Sequence, residues 1–123
     1  MRIISTPDAP APGGHYSQAI EANGFVFVSG MLPGPPAAGE TDSFERQVRA
    51  TLGHCRRLLE ASSRRLEDVV QVTAYIVGIE HWPQFNAIYA EVFGGHKPAR
   101  AVVPVPCLHH DYLIEIQMVA LGG

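Results

Sequence analysis

The sequence predicts an α+β domain in which two helices pack on one face of a β-sheet. Three observations lead there. Apolar, β-branched and aromatic runs of strand length recur along the chain. Two longer stretches carry apolar residues at helical spacing. Turn signals separate these segments in the order β-β-β-α-β-α-β-β. The 123 residues suit one domain, here the whole span 1–123.

The elements follow in order. Arg2 to Ser5 reads as a short strand, and Pro7, Pro10, Pro12, Gly13 and Gly14 then mark a loop. Ser17 to Glu21 and Phe25 to Ser29 flank Asn23-Gly24, the dipeptide that a type I′ hairpin favours because both turn positions need positive φ. Phe25-Val26-Phe27-Val28 is apolar without alternation, which predicts burial on both faces. Three prolines and two glycines make 31–39 a loop.

A helix is expected from Asp42, with Asp42 as cap and Glu45 three residues on. Phe44, Val48, Leu52, Cys55 and Leu59 form its apolar stripe, and Arg46, Arg49, Arg56 and Arg57 its solvated face. Cys55 reads as a small core residue. Val69 to Val77 is a strand. A second helix runs from about Trp82 to Phe93, with Pro83 in its first turn and Gly94-Gly95 at its end; Trp82, Phe85, Tyr89 and Val92 share a face. Ala101 to Val105 and Tyr112 to Leu121 complete the sheet.

Composition narrows the function. Charged residues are 17% of the chain and hydrophobic residues 46%, a thin charged shell that favours burial of surface in an oligomer. Net charge is −3 and Lys97 is the single lysine, so no nucleic-acid partner is expected. No apolar run has the length of a membrane span. Met1 to Gly30 holds no continuous apolar segment of signal-peptide type, and a cytoplasmic protein with reduced Cys55 and Cys107 is the expectation. The histidines show no HxH or HExxH spacing; His109-His110 reads as a pair of turn residues.

Two charges stand out by position. Arg100 is the only ionisable residue between Pro98 and Pro106, and Glu115 the only charge after Asp111. A lone charge in an apolar strand needs a partner or water. Arginine offers a planar fork to a carboxylate, and a nearby glutamate orients water or moves a proton. If the last two strands share a sheet or cleft, the two side chains can share a site; a plain salt bridge between them fits the same spacing. Gly30, after the strand residue Ser29, permits close approach to the backbone, or serves only the turn into Pro33.

Several segments carry a resemblance. Gly14-His15-Tyr16-Ser17-Gln18-Ala19 resembles G-P-Y-S-Q-A, and Phe27 to Pro33 resembles F-x-S-G-Q-[IL]-P. Asn86 to Phe93 resembles N-x-x-Y-x-x-[FY]-F, Pro98-Ala99-Arg100-Ala101 resembles P-A-R-[ST], and Ile114-Glu115-Ile116 resembles the start of [VI]-E-[IV]-E, whose second glutamate is Gln117 here. Together, in order, these resemble the Rid (RidA/YjgF-like) proteins, also known as the L-PSP endoribonuclease family. The resemblance implies a chorismate-mutase-like fold, a homotrimer with clefts between subunits, and cofactor-free, metal-free hydrolysis of 2-aminoacrylate-type enamines, through their imines, to 2-oxo acids and ammonia. It implies that Arg100 holds the substrate carboxylate and Glu115 positions water. Tyr16, Ser29 and Gly30 would line the cleft, with the Val102 backbone facing the reacting end. Asn86 matches a helix position near the cleft without a catalytic role. His15, Met31, Val102, Pro104, Cys107 and Gln117 depart from the family pattern. These departures bear on substrate range and leave room for two other readings: a trimer that binds a 2-oxo acid without turnover, and an endoribonuclease.

Overall fold

The computed structural model describes residues 1–122, and the eight elements appear in the expected order. They are β1 (Arg2–Ile4), β2 (Ala19–Ala22), β3 (Phe25–Met31), α1 (Phe44–Ala61), β4 (Val69–Ile76), α2 (Trp82–Phe93), β5 (Ala99–Pro104) and β6 (Ile114–Leu121). The strands form one six-stranded sheet in the order β1-β2-β3-β6-β4-β5. Only β4 and β5 run parallel, as a crossover through α2 requires.

Both helices cover one face. Val26, Val28, Met31, Val72, Ala74, Ile76, Ile114, Ile116, Met118 and Ala120 point beneath them and are buried. Phe44, Val48, Leu52, Cys55 and Leu59 of α1 meet this face, as their spacing predicts. Ser43, not Asp42, caps α1: its Oγ accepts from the Arg46 N–H at 3.0 Å. Asp42 lies one residue too early to reach that amide and instead takes the side chains of Arg46 and Gln47. On α2 the buried row is Phe85, Ile88, Tyr89 and Phe93; Trp82 is 38% exposed and Val92 half-buried, so the packed face is rotated from the predicted one. Gly94, at φ 61°, ends the helix and donates its N–H to Ala90.

The β2–β3 turn has Asn23 at φ 56° and Gly24 at φ 81°, the type I′ geometry. The expected two-sided burial of Phe25 to Val28 does not occur within one chain. Only the helix-facing Val26 and Val28 are buried, because strand side chains alternate and no element covers the other face. There, Ile3, Ile20, Phe27 and Val119 stand opposite one another across four strands. Ile3 is 64%, Phe27 46% and Leu121 52% exposed, an apolar surface without cover in the single chain. Pro104 ends β5 at the sheet edge, where its missing N–H leaves no ladder bond unmade.

A polar link ties α1 to two loops. The His54 ring meets the Pro33 carbonyl through Nε2 (2.9 Å) and an Arg57 guanidinium nitrogen through Nδ1 (3.0 Å), and Arg57 Nε donates to the Asp8 carbonyl at 2.8 Å. Burial, reinforced by the Arg57 charge, holds the His54 imidazole below the usual histidine range. Its neutral form is therefore the one that the fold accommodates. A depressed histidine contributes stability that is present above its ordinary pKa of about 6.5 and is lost as pH falls toward the folded value.

Two outcomes follow for denaturation measurements. Leu59→Ala, at a fully buried position of α1, lowers unfolding free energy by about 2–5 kcal/mol in urea titrations, with unchanged m. Acidification from pH 7 to 5 destabilises the native protein, and His54→Gln flattens that dependence; parallel pH profiles for the two proteins contradict the assigned role.

Candidate functional site

Glu115 occupies the uncovered face of β6, and local irregularity in β3 makes room for it. The β3–β6 register shifts between Val28 and Met31, so Ser29 and Gly30 together oppose a single residue. Ser29 is pinned by its N–H to the Gln18 carbonyl (3.0 Å) and by its Oγ to the Ser17 carbonyl (2.6 Å). Gly30 is then brought under the Glu115 side chain: a Cβ on Gly30 would stand 2.6 Å from Glu115 Oε2. Glycine lets the Glu115 side chain lie directly against the backbone here, where a larger residue would displace the carboxylate. Glu115 makes no ion pair or hydrogen bond among the described residues. Burial pushes its carboxyl above the ordinary glutamate range, and the His109 charge partly opposes this.

Gly30 also lines a cavity of about 420 Å³, walled further by Tyr16, Met31, Gly34, His110 and Tyr112 among others. Tyr16 is half-exposed, and its phenol oxygen accepts from the Gly13 N–H at 3.2 Å, which folds the proline- and glycine-rich loop back on itself. His110 and Asp111, at φ 59° and 58°, form the predicted turn.

Arg100 belongs to a different surface. It stands opposite Val72 in the β4–β5 ladder and so leaves the sheet on the helix side. Its NH1 donates to Asn86 Oδ1 at 3.0 Å, and its guanidinium carbon lies 4.8 Å from the Tyr89 ring centroid and 6.0 Å from that of Phe85. The amide bond and the ring faces orient the cation while the residue stays exposed. A cavity of about 460 Å³ opens beside it, lined by Asn86, Tyr89, Phe93, His96, Lys97 and Arg100 with their neighbours. The Tyr89 hydroxyl is buried with no hydrogen-bond partner among the described residues, and burial pushes the phenol up to about 12 against the opposing Arg100 charge. Val102, two residues on, is half-buried against the core.

One chain does not bring Arg100 and Glu115 together. β4 separates their strands. Arg100 is level with Val72 and Glu115 with Tyr75, residues whose side chains leave opposite faces of β4. Two strand spacings across and three residues along place the two backbones about 14 Å apart. The simple salt bridge between them is likewise absent. The structure thus sets the predicted residues in two separate halves: Glu115 with Ser29, Gly30 and Tyr16, and Arg100 with Val102. Asn86 and Tyr89 join the second half. Their i, i+3 spacing on one helix face was the signal for that pairing; their approach to Arg100 depends on the crossover and is invisible locally. No group of three or more His, Cys, Asp or Glu side chains among the described residues is arranged to hold a metal. No helix among these residues is long and apolar enough to cross a membrane.

Comparison with known proteins places this arrangement in a family. The family model described as Endoribonuclease L-PSP matches residues 6–121. A RutC family protein of Pyrococcus horikoshii is 42% identical over 120 residues, covering 96% of this chain and 95% of that protein. Another RutC family protein, from Aquifex aeolicus, is 40% identical over 124 residues, covering 98% and 99%. Among solved structures, YyfA of Yersinia pestis, a member of the conserved Rid protein family, superposes with a TM-score of 0.90 at 35% identity over 98% of each chain. TdcF of E. coli with bound serine superposes with a TM-score of 0.92 at 28% identity over 100% of each chain. In sequence and in fold, the chain belongs to the endoribonuclease L-PSP family, the Rid/YjgF-like group that includes these RutC and Rid proteins.

Proposed function

We propose that the protein is a 2-iminobutanoate/2-iminopropanoate deaminase-like hydrolase whose site forms where two copies meet, within a homotrimer. The observation that carries this reading is the separation of two incomplete half-sites. Among the described residues, Arg100, at an edge strand, has no carboxylate partner, and Glu115, on the uncovered face, is in no ion pair. Packing the β5 edge of one copy against the uncovered face of the next joins the halves and also covers Ile3, Phe27 and Leu121. Serine bound to TdcF supports a small acid bearing a carboxylate and a nitrogen on the adjacent carbon.

The chemistry needs little more than placement. The Arg100 fork holds the substrate carboxylate in two parallel hydrogen bonds, with Asn86 and the Tyr89 ring fixing the guanidinium. Glu115 takes a proton from water as the water oxygen adds to the imine carbon. That proton passes to the imine nitrogen to give the carbinolamine; Glu115 then relays the hydroxyl proton to the same nitrogen as the carbonyl forms and the carbon–nitrogen bond breaks, and a 2-oxo acid and ammonia leave. A carboxyl raised by burial is a stronger base than an exposed one, which suits it to this exchange. Tyr16, Ser29 and Gly30 wall the water side, and the Val102 backbone faces the reacting carbon. A second reading, binding of a 2-oxo acid without turnover, draws on the sequence departures Pro104 and Cys107 close after Arg100.

A coupled assay of 2-oxo acid and ammonia release tests the proposal. Glu115→Gln lowers kcat by about 10²-fold or more with 2-oxo acid binding retained, whereas Arg100→Lys mainly raises KM. The deciding measurement mixes Arg100→Ala and Glu115→Gln chains, each inactive alone, after unfolding and joint refolding. Random assembly restores about a quarter of the native activity if each site draws on two chains. No recovery in properly assembled mixtures rejects the shared site, and saturable binding without turnover in the native protein selects the second reading.

A further inference from the structure

We propose that the groove between α1 and the loop of residues 33–41, whose lining includes neither Arg100 nor Glu115, is a second ligand site that takes the dianion of a small phosphate monoester on Arg56 and Arg57. The groove holds about 720 Å³, within the range of roughly 300–1,000 Å³ usual for small-molecule pockets. Its floor is the outward face of α1, where Arg46, Arg49, Gly53, Arg56 and Arg57 fall on adjacent turns.

The charges there are unequally matched. Arg46 is paired with Asp42, and Arg49 with Glu45 and Glu91. Glu40 accepts from the Ala37 N–H. Arg56 and Arg57 have no ion-pair partner among the described residues. Arg56 and Arg57 thus bring two guanidinium charges to the groove without ion pairs, against one carboxylate in its lining, Glu40, that also lacks an ion pair.

Arg57 is also held in place. Nε donates to the Asp8 carbonyl, NH2 meets His54 Nδ1, and the other ring nitrogen of His54 is engaged by Pro33. NH1 has no such partner. A merely solvated arginine has no need of this three-part support. Gly53 adds a second reason. Glycine weakens a helix interior relative to alanine, and the three atoms nearest to a Cβ at Gly53 would all belong to the Arg57 guanidinium, NH1 at 3.2 Å, and not to the core. The missing side chain leaves a hollow in which Arg57 lies and above which an anion can approach the helix. Two guanidinium groups, one fixed and one free to close, match the charge and the several acceptor oxygens of a phosphate monoester.

Calorimetric titration of the full chain with inorganic phosphate and with glycerol 3-phosphate provides the test, with ¹H–¹⁵N spectra recorded in parallel. Both probes saturate with dissociation constants of about 1 mM or tighter, and the Gly53 amide shifts along the same curve. Arg56→Gln, at an exposed residue with no side-chain hydrogen bond or ion pair among the described residues, weakens binding by about tenfold. Gly53→Glu places a carboxylate among the arginines, pairs with them at helical spacing and abolishes binding, while circular dichroism reports a native fold. Shifts that stay linear in ligand, or variants that bind as the native protein does, overturn the site. Binding of inorganic phosphate with exclusion of glycerol 3-phosphate overturns the assignment to monoesters.

Discussion

Two helices shield one side of a six-stranded sheet and nothing shields the other, and the candidate site inherits its form from that asymmetry. Side chains alternate along a strand, so every residue is committed to the packed side or the open side. Arg100 and Glu115 are committed to opposite sides, with β4 between their strands. The open side is apolar where a solvated sheet would be polar.

Local chemistry sets each half-site. The β3 bulge turns Gly30 beneath Glu115, and absence of a single carbon gives the carboxylate its half-buried position. That position raises the affinity of Glu115 for a proton without any nearby acid to do so. Arg100 is treated in the opposite way: it remains exposed and charged, and Asn86, Tyr89 and Phe85 fix its direction. Desolvation tunes one group and orientation the other.

What could be read from the sequence divides along the same line. Asn23-Gly24, the α1 stripe, and the start and end of α2 depend on neighbours within a few residues, and each was legible. The cap of α1 moved by one residue because Asp42 and Ser43 are both able acceptors, and only their positions relative to the first helical amides decide between them. The order of strands is a different matter. β5 and β6 are consecutive in the chain but not in the sheet, since the parallel crossover through α2 sets β5 on the far edge of β4. No local pattern around Arg100 or Glu115 carries that fact. The apolar run Phe25 to Val28 implied two covered faces, whereas the single chain supplies one.

The division of Arg100 and Glu115 between faces has a consequence in the cell. Under the proposed reading, a newly made chain is inert until it finds its neighbours, so competence is a property of abundance as well as of folding. A substitution at Phe27 or Leu121, far from any reacting atom, would then silence the enzyme as completely as loss of the arginine itself. Dilution would do the same to a flawless protein.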